Sequence, residues 1–474
     1  MRLSTLDVLS IEELQTVHEA SLRILADVGI YLEGEELRDL AISAGARLDR
    51  EQGVVRFPPD VILAALRSLP AQVVLANRDG TPALTLGDGR TYFGCGCDAI
   101  YFQDGETGER RPATKEDVGN LIRIGDALDR IAVVAPPAIP QDVPPQACHA
   151  HAADAVFNNS TKHLFTPPGT TEAAETIIRM ARVVAGTSDL GSKPIVTCMV
   201  SIQSPLRWPE DLGESVLAIV RSGAPIMFHT APLPGASAPL TLAGMLALYN
   251  AEVLSGITIA QLIRPGAPVI YGGGWGTFSL RQMTRVLGCP EGALLRLAGG
   301  QLARFYHLPC HSLGPDSDSQ VLDEQNGWEK MLTTVFSLLG GQDLVINASM
   351  YASGMTVSYE QLVLDQEMLE IGFRLLEGIT VSPETLALEV IERAAPRGDF
   401  LTDEHTLKHL RSGEHYQPTL SSRYSHDQWL EAGGRDVVRR AKERAQQILS
   451  THRPIPLEEP IQRELKAILA AAGR

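Results

Sequence analysis

Short apolar runs in this chain end repeatedly on residues that could bind or orient a small molecule. They are Cys95, Cys97 and Asp98; Gln203 and Ser204; His229 and Thr230; Trp275; His311, Ser312 and Asp316; and Tyr351. The set is polar, aromatic and small. Trp275 sits in the run Gly272–Gly273–Gly274–Trp275–Gly276, which is not the GxGxxG of a phosphate turn, because no third glycine opens a helix there. Glycines flanking one indole let a bulky group approach the backbone, which makes Gly272, Gly273 and Gly274 the expected cofactor-approach positions. They also leave the ring free for stacking or a cation–π contact. The plainer alternative is a glycine-rich turn holding a core tryptophan.

Other clusters point less far. Cys95-x-Cys97, even with Cys310 and His311 added, lacks the paired clusters of a structural zinc site, and small buried thiols at strand ends explain it. No metal is therefore assigned to this chain. His149 and His151 fall in a helical stretch, where residues two apart point about 200° away from each other and cannot share a metal. His229 and His311 each close a predicted strand and are the leading polar candidates. Asp316, Asp318, Asp323 and Glu324 suit the acidic first turn of a helix, or the attraction of a cation. Glu252, inside an apolar helix, has Thr241, Asn250 and Thr258 as polar neighbours and reads as structural. GxSxG, HExxH, P-loop and kinase signatures are all missing, and no catalytic acid, base or nucleophile is assigned.

The 474 residues carry 41 Lys and Arg against 57 Asp and Glu, a formal charge of −16 that suits neither nucleic acid nor an anionic membrane. Six cysteines without a framework and an amino terminus without an apolar signal core point to the cytoplasm. The apolar run Leu240–Ile263 is broken by Asn250, Glu252 and Gln261, as in a buried core helix rather than a membrane span.

The elements that must position these residues follow from periodicity. Ser10 and Glu13 form a capping box for a helix running to Gly29, and residues 1–89 read as an N-terminal cap. From Arg90 onward, short apolar runs alternate with helical stretches at Tyr92–Cys95, Ile131–Ala135, His163–Thr166, Ile195–Ser201, Ile226–Thr230, Val269–Gly272, Leu308–Ser312 and Leu344–Ala348. Eight βα units over 90–377 predict an α/β fold, a TIM (β/α)₈ barrel, with a doubly wound sheet as the alternative that periodicity does not separate. Residues 378–474, opened by Ser382–Pro383, read as a helical C-terminal extension of the same unit, and such wraps favour a homo-oligomer. In a barrel the carboxyl ends of the strands hold the site, which is what selects the residues named first.

Six blocks of the sequence carry a resemblance. They are RTYFGCGCDAIYFQDGETGERRPATKEDVGNLIRIGDAL from Arg90, SPLRW from Ser204, APLTLAGMLALYNAEVLSGITIAQLIRPGAPVIYGG from Ala238, DSDSQVLDEQNGWEKM from Asp316, SYEQLVLDQEM from Ser358 and GDFLTDEHTLKHLRS from Gly398. In this order they resemble the trimethylamine methyltransferase superfamily. The resemblance implies a TIM barrel and a cobalamin-dependent methyltransferase whose corrinoid is supplied by a small partner protein. The trimethylamine enzymes carry pyrrolysine, whereas this chain is written in the standard twenty residues, so it resembles the branch that demethylates quaternary amines such as glycine betaine, proline betaine or carnitine.

A quaternary nitrogen already holds a neutral amine as its leaving group, so transfer to Co(I) requires neither a general acid nor a zinc ion. Binding then falls to an aromatic wall drawn from Trp275, Phe228, Tyr249 and Tyr351, with His229, His311 and Gln203 as donors to a betaine carboxylate and Asp98 and Asp316 in the same set. Two alternatives stay open. One is a corrinoid-linked methyltransferase using a tetrahydrofolate-type pterin read by Asp98, Asp316 and Asn347; the other is a quaternary-amine binding protein without catalysis.

Overall fold

A computed structural model describes residues 5–473. Eight strands form one parallel sheet: β1 (Tyr92–Cys95), β2 (Ile131–Val134), β3 (His163–Thr166), β4 (Val196–Ile202), β5 (Ile226–Thr230), β6 (Val269–Tyr271), β7 (His311–Leu313) and β8 (Leu344–Ala348). Their spatial order is β6-β5-β4-β3-β2-β1-β8-β7. The remaining gap closes where Tyr271 of β6 pairs with Cys310 and its N–H donates to the Pro309 carbonyl at 2.8 Å. A doubly wound sheet has two free edges; here the edges meet, so the fold is the (β/α)₈ barrel. The largest departure from the expected strands is at β7, which starts three residues later than Leu308; β6 stops one residue short, before the glycines.

Helices α1 (Lys115–Ala127), α2 (Cys148–Asn159), α3 (Thr171–Ala185), α4 (Glu210–Ser222), α5 (Leu242–Ile263), α6 (Pro290–Phe305), α7 (Glu324–Leu339) and α8 (Tyr359–Glu377) follow the strands in turn. Helix α5 has 22 residues and is apolar enough to cross a membrane, but 78% of its apolar window is buried inside the protein, because it packs against β5 and the N-terminal helices. Its apolar side chains face protein on every side, as in the core of a large domain.

The lumen is filled by Val133, Phe165, Met199, Met227, Ile270, Leu344 and Ile346. The hairpin of Val73–Ala76 and Pro82–Leu86 adds Val73, Leu75 and Leu86 to the same cluster. That hairpin plugs the amino ends of the strands: Ala76 N–H donates to Pro194 at 2.9 Å and Gly87 N–H to the Asp343 carboxylate at 2.7 Å, each acceptor lying just before a strand. His163, at the foot of β3, meets the Ala76 carbonyl at 3.0 Å and the Thr197 hydroxyl at 2.9 Å, and burial lowers its pKa to about 4. With one end stoppered, only the carboxyl ends are left open to the loops.

Those loops are themselves structured. After β1, a hairpin of Tyr101–Gln103 and Arg110–Pro112 joins Thr356–Val357, which pairs with Met350–Tyr351 after β8. After β6, Thr277–Ser279 pairs antiparallel with Thr284–Val286. Of the nine described non-glycine residues with positive φ, seven stand at the carboxyl ends of strands or in the loops beyond them: Asp98, Leu206, Met283, Asn347, Ser349, Ala352 and Ser353. Strain of this kind is retained where a site needs it, and here it marks the open face.

The N-terminal helix Ile11–Arg23 carries the Ser10–Glu13 capping box. Beyond it, Ile30–Leu32, Arg47–Asp49 and Val54–Arg56 make a small antiparallel sheet that takes Arg207–Trp208 of the barrel as its edge. Toward the C-terminus, the Ser382 box caps a helix of only four residues, Pro383–Leu386. Helix Val437–Thr451 packs on α8 and α1, and Glu459–Ala472 on α3 and α2.

Candidate functional site

A cleft of about 400 Å³ opens at the carboxyl ends of β1, β3 and β4, lined among others by Asp98, Pro167, Met199, Ser201 and Gln203. The largest described cavity, about 860 Å³, lies elsewhere, between Tyr92 and Arg130 at the amino ends of β1 and β2 and the C-terminal extension. It has the plugged end of the barrel beside it and none of the strand-end residues, so size does not select it.

Asp98 holds φ at 71°, a left-handed conformation that turns the chain sharply after β1. Its carboxylate accepts no hydrogen bond from any described residue. Part of its surface faces the cleft, yet the surrounding protein is dense enough that burial raises its pKa from 3.8 to about 7. Across the cleft, Ser201 and Gln203 are exposed, because β4 runs on to Ile202 and presents them beyond the rim.

His229 and His311 face the lumen beneath this rim. His229 Nδ1 meets the Ser201 hydroxyl at 3.1 Å, while its Nε2 is buried without a partner. His311 stacks on Phe165 with ring centroids 5.8 Å apart, and both of its nitrogens are unpartnered. Burial, with the Arg285 charge as a smaller cause, lowers the His229 pKa to about 3, and burial puts His311 well below its ordinary value. Both imidazoles are therefore neutral at pH 7 and could offer a carboxylate one N–H each, not a charge.

Arg285 was not among the residues expected here. It lies on the strand Thr284–Val286 after β6, and its Nη2 donates to the Gly274 carbonyl at 3.1 Å. That is its sole hydrogen bond to a described residue; Nε is buried and unpartnered, and no described carboxylate forms an ion pair with it. The available signal is the alternation of Thr277–Phe278–Ser279 and Thr284–Arg285–Val286 about the four-residue turn Leu280–Met283.

Several expected residues are not brought to the mouth. Trp275 is buried, its ring 4.0 Å from that of Tyr249 and wedged against Gly299 of α6. Phe228 points outward from β5 to Trp208 and Gly256. Tyr351, also buried, belongs to the strand pair Met350–Tyr351 and Thr356–Val357. These three do not form one wall, and among the described residues no aromatic side chain lines the strand-end cleft.

Asp316 is wholly occupied: Arg296 Nη2 lies at 2.5 Å and Asn347 Nδ2 at 2.7 Å, all three buried. Asp316 and Asn347 thereby satisfy each other rather than presenting a pterin-reading edge. Gly272, Gly273 and Gly274 also do something other than admit a cofactor. A Cβ on them would stand 2.4 Å from the Phe228 carbonyl, 2.1 Å from Trp275 Nε1 and 2.3 Å from His229 Nε2, respectively. The protein's own atoms fill that space, so these glycines serve close packing and offer no cradle for a corrin ring.

Glu252 is the hidden support of the rim. From α5 it accepts from the Ser204 hydroxyl at 2.8 Å, the Leu206 N–H at 2.9 Å and the Thr230 hydroxyl, tying the loop after β4 to the end of β5. The cysteines are separated as well: Cys95 Sγ faces Gly125 of α1, whereas Cys97 belongs to the lumen cluster.

The profile of the family Trimethylamine methyltransferase (MTTB) matches residues 1–472. The chain is 34% identical over 459 residues to a Desulfitobacterium hafniense (strain DSM 10664 / DCB-2) protein named Trimethylamine methyltransferase MttB, covering 97% of this chain and 92% of that one. It is 32% identical over 473 residues to the Glycine betaine methyltransferase of D. hafniense (strain Y51), covering 99% and 97%. The monomethylamine methyltransferase of Methanosarcina barkeri resembles this chain with a TM-score of 0.48 at 12% identity over 97% of this chain and 93% of that one.

Proposed function

The chain belongs to the trimethylamine methyltransferase family, and from that premise we propose that it takes a methyl group from a quaternary amine of the glycine betaine class and delivers it to the corrinoid of a partner protein. The observation that carries this reading is the strand-end cleft whose Asp98 carboxylate has no protein partner. A carboxylate left open in a partly dry cleft is matched by a cation that cannot lose its charge.

The reduced corrinoid, held by its own carrier, supplies the nucleophile. This chain's residues bind, orient and dry the substrate. Asp98 faces the ammonium, the Gln203 side chain and the Met199 thioether border it, and Glu252 fixes the rim. As the methyl leaves, the C–N pair stays on nitrogen and the departing amine is neutral, so no proton need be delivered. Holding the N–CH₃ bond toward the open face is a proximity contribution of several kcal/mol, on the order of a well-oriented intramolecular reaction. A single ionic contact in place of a full aromatic cage limits ground-state binding, which suits a charge that disappears in the transition state.

Incubation of the purified chain with a reduced corrinoid protein and glycine betaine, proline betaine, carnitine, choline and trimethylamine tests the reading. Loss of the reduced-corrinoid absorption is expected with the betaines and not with trimethylamine. Transfer from trimethylamine alone, or from none of the five, contradicts it. For self-association, support comes from the exposed apolar side chains Ile379, Val381, Leu401 and Leu407 of the C-terminal extension.

A further inference from the structure

We infer that the mouth is charge-separated to read a zwitterion, with Asp98 facing the quaternary nitrogen and Arg285 serving as the specificity-determining donor to the substrate carboxylate. This rests on the reading of the substrate as a quaternary amine and adds which kind.

The topology sets the two groups apart. Asp98 follows β1 and Arg285 the loop after β6, beside His229 at the end of β5. In a closed barrel of eight strands in sequential order β6 lies three strands round from β1, so the carboxylate and the guanidinium rise from well-separated walls at the same, carboxyl-end face of the barrel. Gly274 fixes the second wall: its carbonyl accepts from Arg285 Nη2 at 3.1 Å, and the missing Cβ leaves room for His229 Nε2.

The guanidinium is under-used. Arg285 is half-buried with its Nε fully so, and a guanidinium nitrogen taken out of water ordinarily has a carboxylate or a carbonyl. Arg296, close by, shows the usual pattern, with Asp316, the Leu313 carbonyl and the Leu287 carbonyl as partners. Arg285 has one carbonyl, leaving Nε and Nη1 free of described partners. Burial penalises its charge, and the Asp316 charge, already paired with Arg296, relieves the penalty only at longer range.

An unpaired cation beside the site would repel an ammonium that carried no anion. A substrate with its own carboxylate reverses the sign of that interaction and supplies the missing acceptor. The neutral imidazoles of His229 and His311 then act as uncharged neighbours, which corrects the expectation that they are the main anion anchors.

The test is calorimetric binding of glycine betaine and of tetramethylammonium to the full chain, its Arg285→Gln and Arg285→Lys variants and Asp98→Asn. The wild type is expected to prefer glycine betaine. Arg285→Gln should weaken glycine betaine by about tenfold or more, the range of a charge-assisted hydrogen bond, and leave tetramethylammonium unchanged or tighter. Arg285→Lys should keep part of the preference, and circular dichroism checks that each variant is folded. Asp98→Asn should weaken both ligands. Equal loss of both ligands in Arg285→Gln, or none in either, overturns the role of Arg285 while leaving the quaternary-amine reading standing. A wild type that binds neither ligand overturns both.

Discussion

Replacing Arg296 by methionine should lower the stability of the folded chain by about 3–5 kcal/mol, the cost of leaving a buried charge without its partner. The Arg296–Asp316 pair is 2.5 Å long, with side-chain exposures of 0% and 1%, so water cannot take the place of the lost guanidinium. Arg296 also donates to the Leu313 carbonyl at 3.0 Å and so holds the end of β7. Urea unfolding should show a lower midpoint with little change in slope. Removing the stranded carboxylate as well, in Arg296→Met with Asp316→Leu, should recover part of the loss. Recovery stays incomplete because Asn347 Nδ2 loses the acceptor it now has at 2.7 Å. A single variant within 1 kcal/mol of the wild type (about the cost of an exposed pair) would contradict the assignment of this cluster as buried support.

The second large effect is expected at Asp98, where function and stability should move in opposite directions. Its carboxyl is raised from 3.8 to about 7 in the folded chain, with burial as the cause. Between those values the unfolded chain has already released the proton that the folded chain still holds. Stability therefore falls as pH rises from about 4 to about 7 and is level above that. Asp98→Asn lacks this loss and should be the more stable protein at pH 8, helped by the ease with which Asn adopts the positive φ found there. Affinity for a quaternary amine should do the reverse. In the wild type it should rise as pH passes through about 7 and Asp98 ionises; in the variant it should be weaker by about tenfold and independent of pH across that range. Thermal unfolding and calorimetry at pH 6 and pH 8 read both. A variant that is less stable and binds normally would make Asp98 a turn residue and nothing more.

The barrel was legible because its strands are buried on both faces, which turns each into a short apolar run that stops where the chain meets the loops. β1, β3, β5 and β8 begin and end where those runs do. The N-terminal plug was not legible, since a hairpin that fills a barrel end looks like any exposed one until its partners are known; Val73, Leu75 and Leu86 are apolar because they join the lumen side chains of the barrel strands. Asp98 and Gln203, both selected by strand-end position, line one cleft, because at a strand end the backbone sets where a side chain goes.

Aromatic residues failed that rule. The Trp275 ring lies in the room left by the missing side chains of Gly273 and Gly299, so a glycine that suggested access produces burial. Phe228 alternates outward on a strand whose next residue, His229, faces in, and β-strand periodicity places only one of the two in the lumen. Arg285 was passed over because a two-stranded insertion inside a βα loop has no barrel register to assign its direction.

The most direct measurement of the central claim is a crystal structure of the chain soaked with glycine betaine. The ligand should lie at the carboxyl ends of the strands, with its trimethylammonium against Asp98 and Gln203 and its carboxylate toward Arg285. Density in the 860 Å³ cavity beside Tyr92 and Arg130, or a ligand turned the other way with its carboxylate on Asp98, would contradict it.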